Sequence, residues 1–186
     1  CVNDSTQTIT VNDLPVVTFD PVPAVCIDAD PFTLTGGMPE GGIYSGTGVS
    51  DGSFDPAAAG LGTHDLTYTY EDANGCINTA GQTVTVNPLP EPDLGADTTI
   101  CSSQSVVLDG TTAGAVSYLW QPGGQTTAQI TVDTTGFGLG IHTFVVTVTD
   151  ANGCSGSDAV NVEFEDCPGI GELAGVNNIS LFPNPG

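Results

Sequence analysis

Two stretches of this chain repeat one another, and that repetition constrains the fold more than any other feature. Cys1-Val-Asn-Asp-Ser-Thr-Gln-Thr-Ile-Thr-Val-Asn-Asp-Leu-Pro15 aligns with Cys76-Ile-Asn-Thr-Ala-Gly-Gln-Thr-Val-Thr-Val-Asn-Pro-Leu-Pro90 at an offset of 75 residues. The same offset carries Cys26 to Cys101. A third copy opens at Cys154, where Val162, Phe164 and Pro168 match Val84, Val86 and Pro90. A period of this size makes each copy one folding unit. Residues 1–15 read as the last strand of a preceding repeat, or a strand completing a neighbour. The repeats proper are 16–90 and 91–168, and 169–186 is a linker leading into something else.

Strands follow from period-two alternation. Leu66-Thr-Tyr68-Thr-Tyr70 alternates apolar residues with threonine, and Phe144-Val-Val146-Thr-Val148 keeps apolar residues in the same register. Each run meets Asp-Ala-Asn-Gly-Cys, at Asp72–Cys76 and Asp150–Cys154. Asn-Gly between alternating runs signals a hairpin, because both residues accept positive φ. The returning strands are expected at Thr83–Val86 and Ala159–Phe164, with others at Phe32–Thr35, Val106–Leu108, Val116–Trp120 and Gln129–Val132. No stretch has a convincing helical period. Short strands with frequent turns predict an all-β fold: tandem immunoglobulin-like β-sandwiches. Leu14-Pro15 and Leu89-Pro90 read either as stiff joints, which would make the molecule elongated, or as ordinary loop prolines.

Charge narrows function. The 186 residues include no Lys or Arg and 22 acidic residues, for a formal net charge of −22. Phosphate backbones are bound by cationic side chains, so nucleic acid is excluded as a partner. An anionic membrane surface and a phosphate-clamping active site are excluded for the same reason. No apolar run is long enough to span a bilayer as a helix, so membrane insertion is not expected. The opening residues are polar and do not read as a signal peptide. Hydrophobic residues still make up 39% of the chain, enough to build cores.

The cysteines stand at 1, 26, 76, 101, 154 and 167. Each full repeat has one before an early strand and one after its Asn-Gly turn. The repeat therefore predicts Cys26–Cys76 and Cys101–Cys154. Cys1 matches Cys76, so its partner is expected upstream. Cys167 takes the place of Leu89 and has no expected partner inside the repeat; the alternative is a Cys1–Cys167 contact, between molecules. No Cys-x-x-Cys occurs, and these spacings do not resemble zinc sites. Disulfides belong to an oxidising compartment, so an exported protein is expected.

Catalytic signals are lacking. There is no Gly-x-Ser-x-Gly elbow and no His-Glu-x-x-His. His64 and His142 each stand 12 residues before a turn cysteine, a repeated position that reads as structural. No enzyme activity and no required cofactor are expected. Calcium is the one ligand the charge invites, through Asp28, Asp30, Asp51, Asp55, Asp72 or Asp150. The competing reading is that these are turn residues and solvated surface. Trp120, the single tryptophan, is expected in the core of the second repeat against its disulfide, with Tyr44 as counterpart in the first.

Gly41-Gly-Ile-Tyr-Ser-Gly-Thr-Gly-Val49, Gly52-Ser-Phe-Asp-Pro56, Tyr118-Leu-Trp120 and the two Asp-Ala-Asn-Gly-Cys turns together resemble the PKD-like or immunoglobulin-like repeats of Bacteroidetes surface proteins. Val176-Asn-Asn-Ile-Ser-Leu-Phe-Pro-Asn-Pro185 resembles the start of a type IX secretion C-terminal sorting domain, with Phe182, Pro183, Asn184 and Pro185 as its motif. That resemblance implies export through the outer membrane by the type IX machinery to the cell surface. It also implies O-glycans on Asp-Ser/Thr sites, at Ser5, Thr98 and Thr134. The expected function is a non-catalytic structural or adhesive module, a stalk or filament subunit, with neighbouring repeats or identical subunits as partners. The alternative is an accessory glycan-binding module of a larger secreted hydrolase, with surface glycans as ligand.

Overall fold

The computed structural model describes residues 6–167. The chain divides into two compact units. Of the described residues, the first holds those up to Leu89 together with Asp150–Cys154; the second holds Pro90–Thr149 and those from Ser155.

In chain order the first unit contains β1 (Thr18–Phe19), β2 (Val25–Cys26), β3 (Phe32–Thr33), β4 (Gly37–Met38), β5 (Ile43–Gly46), β6 (Val49–Ser50) and β7 (Ser53–Phe54). A single helical turn, α1 (Pro56–Ala59), precedes β8 (Gly62–Glu71) and β9 (Ile77–Asn87). One sheet has the order β2-β9-β8-β5; the opposing strands pair as β1-β4 and β3-β7-β6. The hairpin β8–β9 runs in antiparallel register from Gly62↔Val86 to Glu71↔Ile77. Leu66 and Tyr68 on one strand, and Val84 and Val86 on the other, turn inward and are buried with Phe19, Leu34 and Phe54. Pro21 and Pro23 lie between β1 and β2. Neither has an N–H to donate, so strand pairing stops there and β2 pairs in the other sheet.

The second unit contains β10 (Thr98–Cys101), β11 (Val106–Asp109), β12 (Ala115–Gln121), β13 (Gln129–Val132), β14 (Gly140–Asp150) and β15 (Ser155–Glu165). The sheet β10-β15-β14-β12 faces the pair β11-β13. Trp120, Phe144 and Phe164 are buried among Leu108, Ile130, Val132 and the inward valines of β14 and β15. Each such valine contributes about 1.5–3 kcal/mol relative to an exposed position.

Both units share an unusual edge. β2 runs parallel to β9, with Cys26 level with Asn87, and β10 runs parallel to β15, with Cys101 level with Glu165. An early strand lying parallel beside the last one, over a long antiparallel hairpin, is immunoglobulin-like. The fold is all-β, with tandem immunoglobulin-like sandwiches. Every strand expected from alternation is present, the Phe32–Thr35 strand ending at Thr33. The helical turn leaves no period in the sequence, because four residues are too few for one. It is fixed instead by Asp55, whose carboxylate accepts from the Ala57 and Ala58 amides at 2.9 and 3.2 Å, with proline in the first turn.

Candidate functional site

The cysteines carry the most distinctive chemistry, and they do not pair as the repeat predicts. Cys26 is bonded to Cys154, and Cys101 to Cys167. Cys76 is a half-buried free thiol. The parallel edge pairs explain the correction. Cys26 lies level with Asn87, ten residues beyond Ile77, while Cys76 sits just before Ile77. Ten strand residues at about 3.3 Å each put roughly 33 Å between the two cysteines. A disulfide tolerates a Cα separation of about 7 Å at most. Cys101 is separated from Cys154 in the same way, because it lies level with Glu165 at the far end of β15. That end is where Cys167 follows, so Cys167 is the partner that alignment missed. In the first repeat Leu89 occupies this place, which leaves Cys26 without a partner at its own strand end and available to Cys154. The Cys1–Cys167 alternative is likewise corrected, since Cys167 is already bonded.

The two cysteine-bearing turns match bond for bond. Asp72 Oδ1 accepts from the amides of Asn74 and Cys76, both at 2.8 Å, and Asp150 Oδ1 from those of Asn152 and Cys154, both at 2.9 Å. The Cys76 amide chiefly, with Asn74 and Gly75 assisting, holds the Asp72 carboxyl below its ordinary value. At Asp150 desolvation pushes the value up, but the bonds from Cys154, Asn152 and Gly153 outweigh it and the net direction is down. These carboxylates are committed to their own turns, Asp55 caps α1, and Asp28, Asp30 and Asp51 lie exposed. Among the described residues no three His, Cys, Asp or Glu side chains are gathered to hold a metal ion. The six calcium candidates are therefore not brought together.

Of the expected glycosylation positions, Ser5 lies outside the described residues. Thr98 is half-buried in β10 opposite Val162, and the half-buried Thr134 hydroxyl donates to Ser102 O at 3.1 Å. The exposed threonines are the next ones along, Thr99 and Thr135. Phe182, Pro183, Asn184 and Pro185 also lie outside the described residues.

Aromatic rings serve the cores. Trp120 is fully buried and its Nε1 donates to Thr127 O at 2.8 Å. No Cys101–Cys154 bond exists for it to pack against. In the first unit the core ring comes from another strand: Tyr68 lies on Gly37, where an added Cβ would stand 2.6 Å from the ring. Its hydroxyl accepts from Gly42 N at 2.7 Å and donates to Pro39 O at 2.6 Å. Tyr44, the expected counterpart of Trp120, is only half-buried against Tyr68 and accepts from Gly37 N. Among the described residues no aromatic side chain is exposed. His64 Nε2 meets Gly60 O at 2.8 Å, whereas buried His142 Nε2 meets nothing and its ring packs against Phe137 and Phe164.

Surface depressions among the described residues are open to solvent. One of about 150 Å³ is lined by Asp97, Thr98, Thr99, Ile141, Asn161 and Glu163, and its Asp97 carboxylate already accepts from Asn161 N and Nδ2.

No family model matches the chain. A mouse protein, the dyslexia-associated protein KIAA0319 homolog, is 32% identical over 122 residues, covering 55% of this chain and 11% of the mouse protein. A Ca2+-stabilized adhesin that helps an Antarctic bacterium reach out and bind ice is 20% identical, with a TM-score of 0.40, over 82% of this chain and 50% of that one. The SGBP-B protein of a Bacteroides ovatus mixed-linkage glucan utilization locus, solved with a heptasaccharide, is 18% identical, with a TM-score of 0.31, over 81% of this chain and 48% of that one. Extracellular domains 3–5 of Drosophila OTK give 11% identity and a TM-score of 0.39 over 82% of this chain and 61% of that one. The chain spans about half the length of the two bacterial proteins and about a tenth of the mouse protein.

Proposed function

We propose that this chain is a non-catalytic extracellular module that carries mechanical load, a stalk or filament segment of a surface protein exported by the type IX route. The disulfides suit an oxidising, extracellular setting. The type IX reading rests on Phe182-Pro183-Asn184-Pro185 and the sequence around it. A glycan-stacking role would draw on an exposed aromatic face, and the described rings are turned to the cores.

The observation that carries the proposal is the covalent path. Cys26 and Cys154 are joined across a sequence separation of 128. Tension on the two ends passes through Cys26 directly to Cys154, and everything between them lies outside the loaded path. At about 3.4 Å per residue, roughly 430 Å of chain is thereby withheld from extension.

Single-molecule stretching of the chain, held by its two ends, tests this. Oxidised protein is expected to withhold that length, and the same molecule in reductant to release about 430 Å more. Release of the full length by protein kept free of reductant refutes the covalent path and the load-bearing reading with it.

A further inference from the structure

Residues 7–15 and the thiol of Cys76 point to one partner. Gln7-Thr-Ile-Thr-Val-Asn repeats Gln82-Thr-Val-Thr-Val-Asn of β9. In β9 the residues equivalent to Ile9 and Val11 are Val84 and Val86, which are 0% and 1% exposed. The corresponding residues of β15, Val162 and Phe164, are 0% and 1% exposed. Ile9 and Val11 themselves are 83% and 90% exposed. A sequence that fills a sandwich core twice in this chain stands open in its third occurrence.

Cys76 gives an independent pointer. Its equivalent, Cys154, is bonded to Cys26, the early-strand cysteine of the preceding repeat. Cys76 occupies the same turn with the same backbone bonds, and its own early-strand equivalents, Cys26 and Cys101, are both taken. A second copy of this chain therefore offers it no early-strand partner.

We infer that residues 7–15 are the closing strand of another sandwich of this repeat type set ahead of them in the polypeptide, and that Cys76 is disulfide-bonded to that sandwich's early-strand cysteine. The crosslink is staggered: each turn cysteine joins the repeat before it. Formation removes two protons and two electrons from the pair of thiols. An oxidising disulfide, R–S–S–R, takes them up through a mixed disulfide and leaves as two thiols. The inference goes beyond the mechanical reading and stands without it, since a stagger needs no load.

A direct test places a copy of residues 16–75 ahead of Cys1 in the full chain, which restores the 75-residue register. In the unextended chain Cys76 should react with iodoacetamide. In the extended chain it should be protected, and Glu-C and Asp-N peptides should show it joined to the copied Cys26, with Cys26–Cys154 retained. Amide exchange over residues 7–12 should slow by on the order of 100-fold or more. Ile9→Asp with Val11→Asp in the extended chain should abolish that slowing, and substitution of the copied Cys26 by serine should leave it in place. The inference is overturned if Cys76 stays reactive, pairs with Cys1 or with a second Cys76, or if exchange is unchanged. Failure of the added residues to fold overturns it equally, because residues 7–15 are held to complete that sandwich.

Discussion

Removing the Cys101–Cys167 bond should weaken the second unit by an amount that can be worked out beforehand. The bond closes a loop with a sequence separation of 66. In the chain-entropy treatment, a loop of that size restrains the unfolded chain by about 4 kcal/mol. Little native packing opposes this figure, since Cys167 is exposed and Cys101 half-buried. The double variant Cys101→Ala, Cys167→Ala therefore isolates the crosslink. Trp120, fully buried and the one tryptophan, reports on this unit by its fluorescence. With a urea dependence of about 1–2 kcal/mol per molar, the midpoint should fall by roughly 2–4 M. The pairing is checked alongside by non-reducing digestion with Glu-C or Asp-N, since trypsin finds no site in a chain without Lys or Arg. A loss below about 1 kcal/mol would refute the reasoning. So would release of the Cys101 thiol on Cys154→Ala.

Three further outcomes follow. Tyr68→Phe leaves Gly42 N–H and Pro39 C=O without their partner. It should cost about 2 kcal/mol and lower the melting of the first unit by on the order of 10 °C, read by near-ultraviolet circular dichroism; a change within 2 °C counts against it. His142→Phe removes a buried nitrogen that meets no partner and should stabilise by about 1 kcal/mol, while His64→Phe breaks the bond to Gly60 O and should destabilise; thermal unfolding of the pair with the same sign refutes the contrast. The carboxyls of Asp72, Asp97 and Asp109 are held below their ordinary value of 3.8, chiefly by the Cys76 amide, the Asn161 side chain and the Thr111 side chain respectively. Asp150 is lowered despite its desolvation. Folded values below unfolded ones stabilise the fold above about pH 4, and that contribution is lost as pH falls through the folded values. Carboxyl titration by nuclear magnetic resonance beside an acid unfolding scan checks this; midpoints for these four at or above 3.8 refute it.

Alternation and the Asn-Gly turns made the long hairpins β8–β9 and β14–β15 legible, since both depend on neighbours in sequence. The cysteine pairing was not, because matching position in two repeats says nothing about which strand ends meet. That depends on β2 and β10 lying parallel to the last strands, a non-local choice that leaves no period in residues as few as Val25–Cys26. At Asp55, Asp72 and Asp150, three of the residues the calcium reading drew on, a short carboxylate beside free backbone amides bonds locally first. The core place of Trp120 was visible in its strand, but the role of Tyr68 was hidden: the space it needs comes from Gly37, thirty-one residues earlier.

That shift of the large ring from one strand to another has a consequence for assembly. Tandem copies of similar strands are exposed to mispairing while they fold. Here the ring stands on β8 in one copy and β12 in the other, and Val146 holds the place of Tyr68. A hybrid core taking β5 with β14 would have neither Tyr68 nor Trp120, and a void there costs about 3–5 kcal/mol. A hybrid of β12 with β8 would crowd two rings into one space, at about 1–3 kcal/mol or more. Each copy thus recognises its own hairpin by volume, and promiscuous exchange between siblings is penalised from both directions.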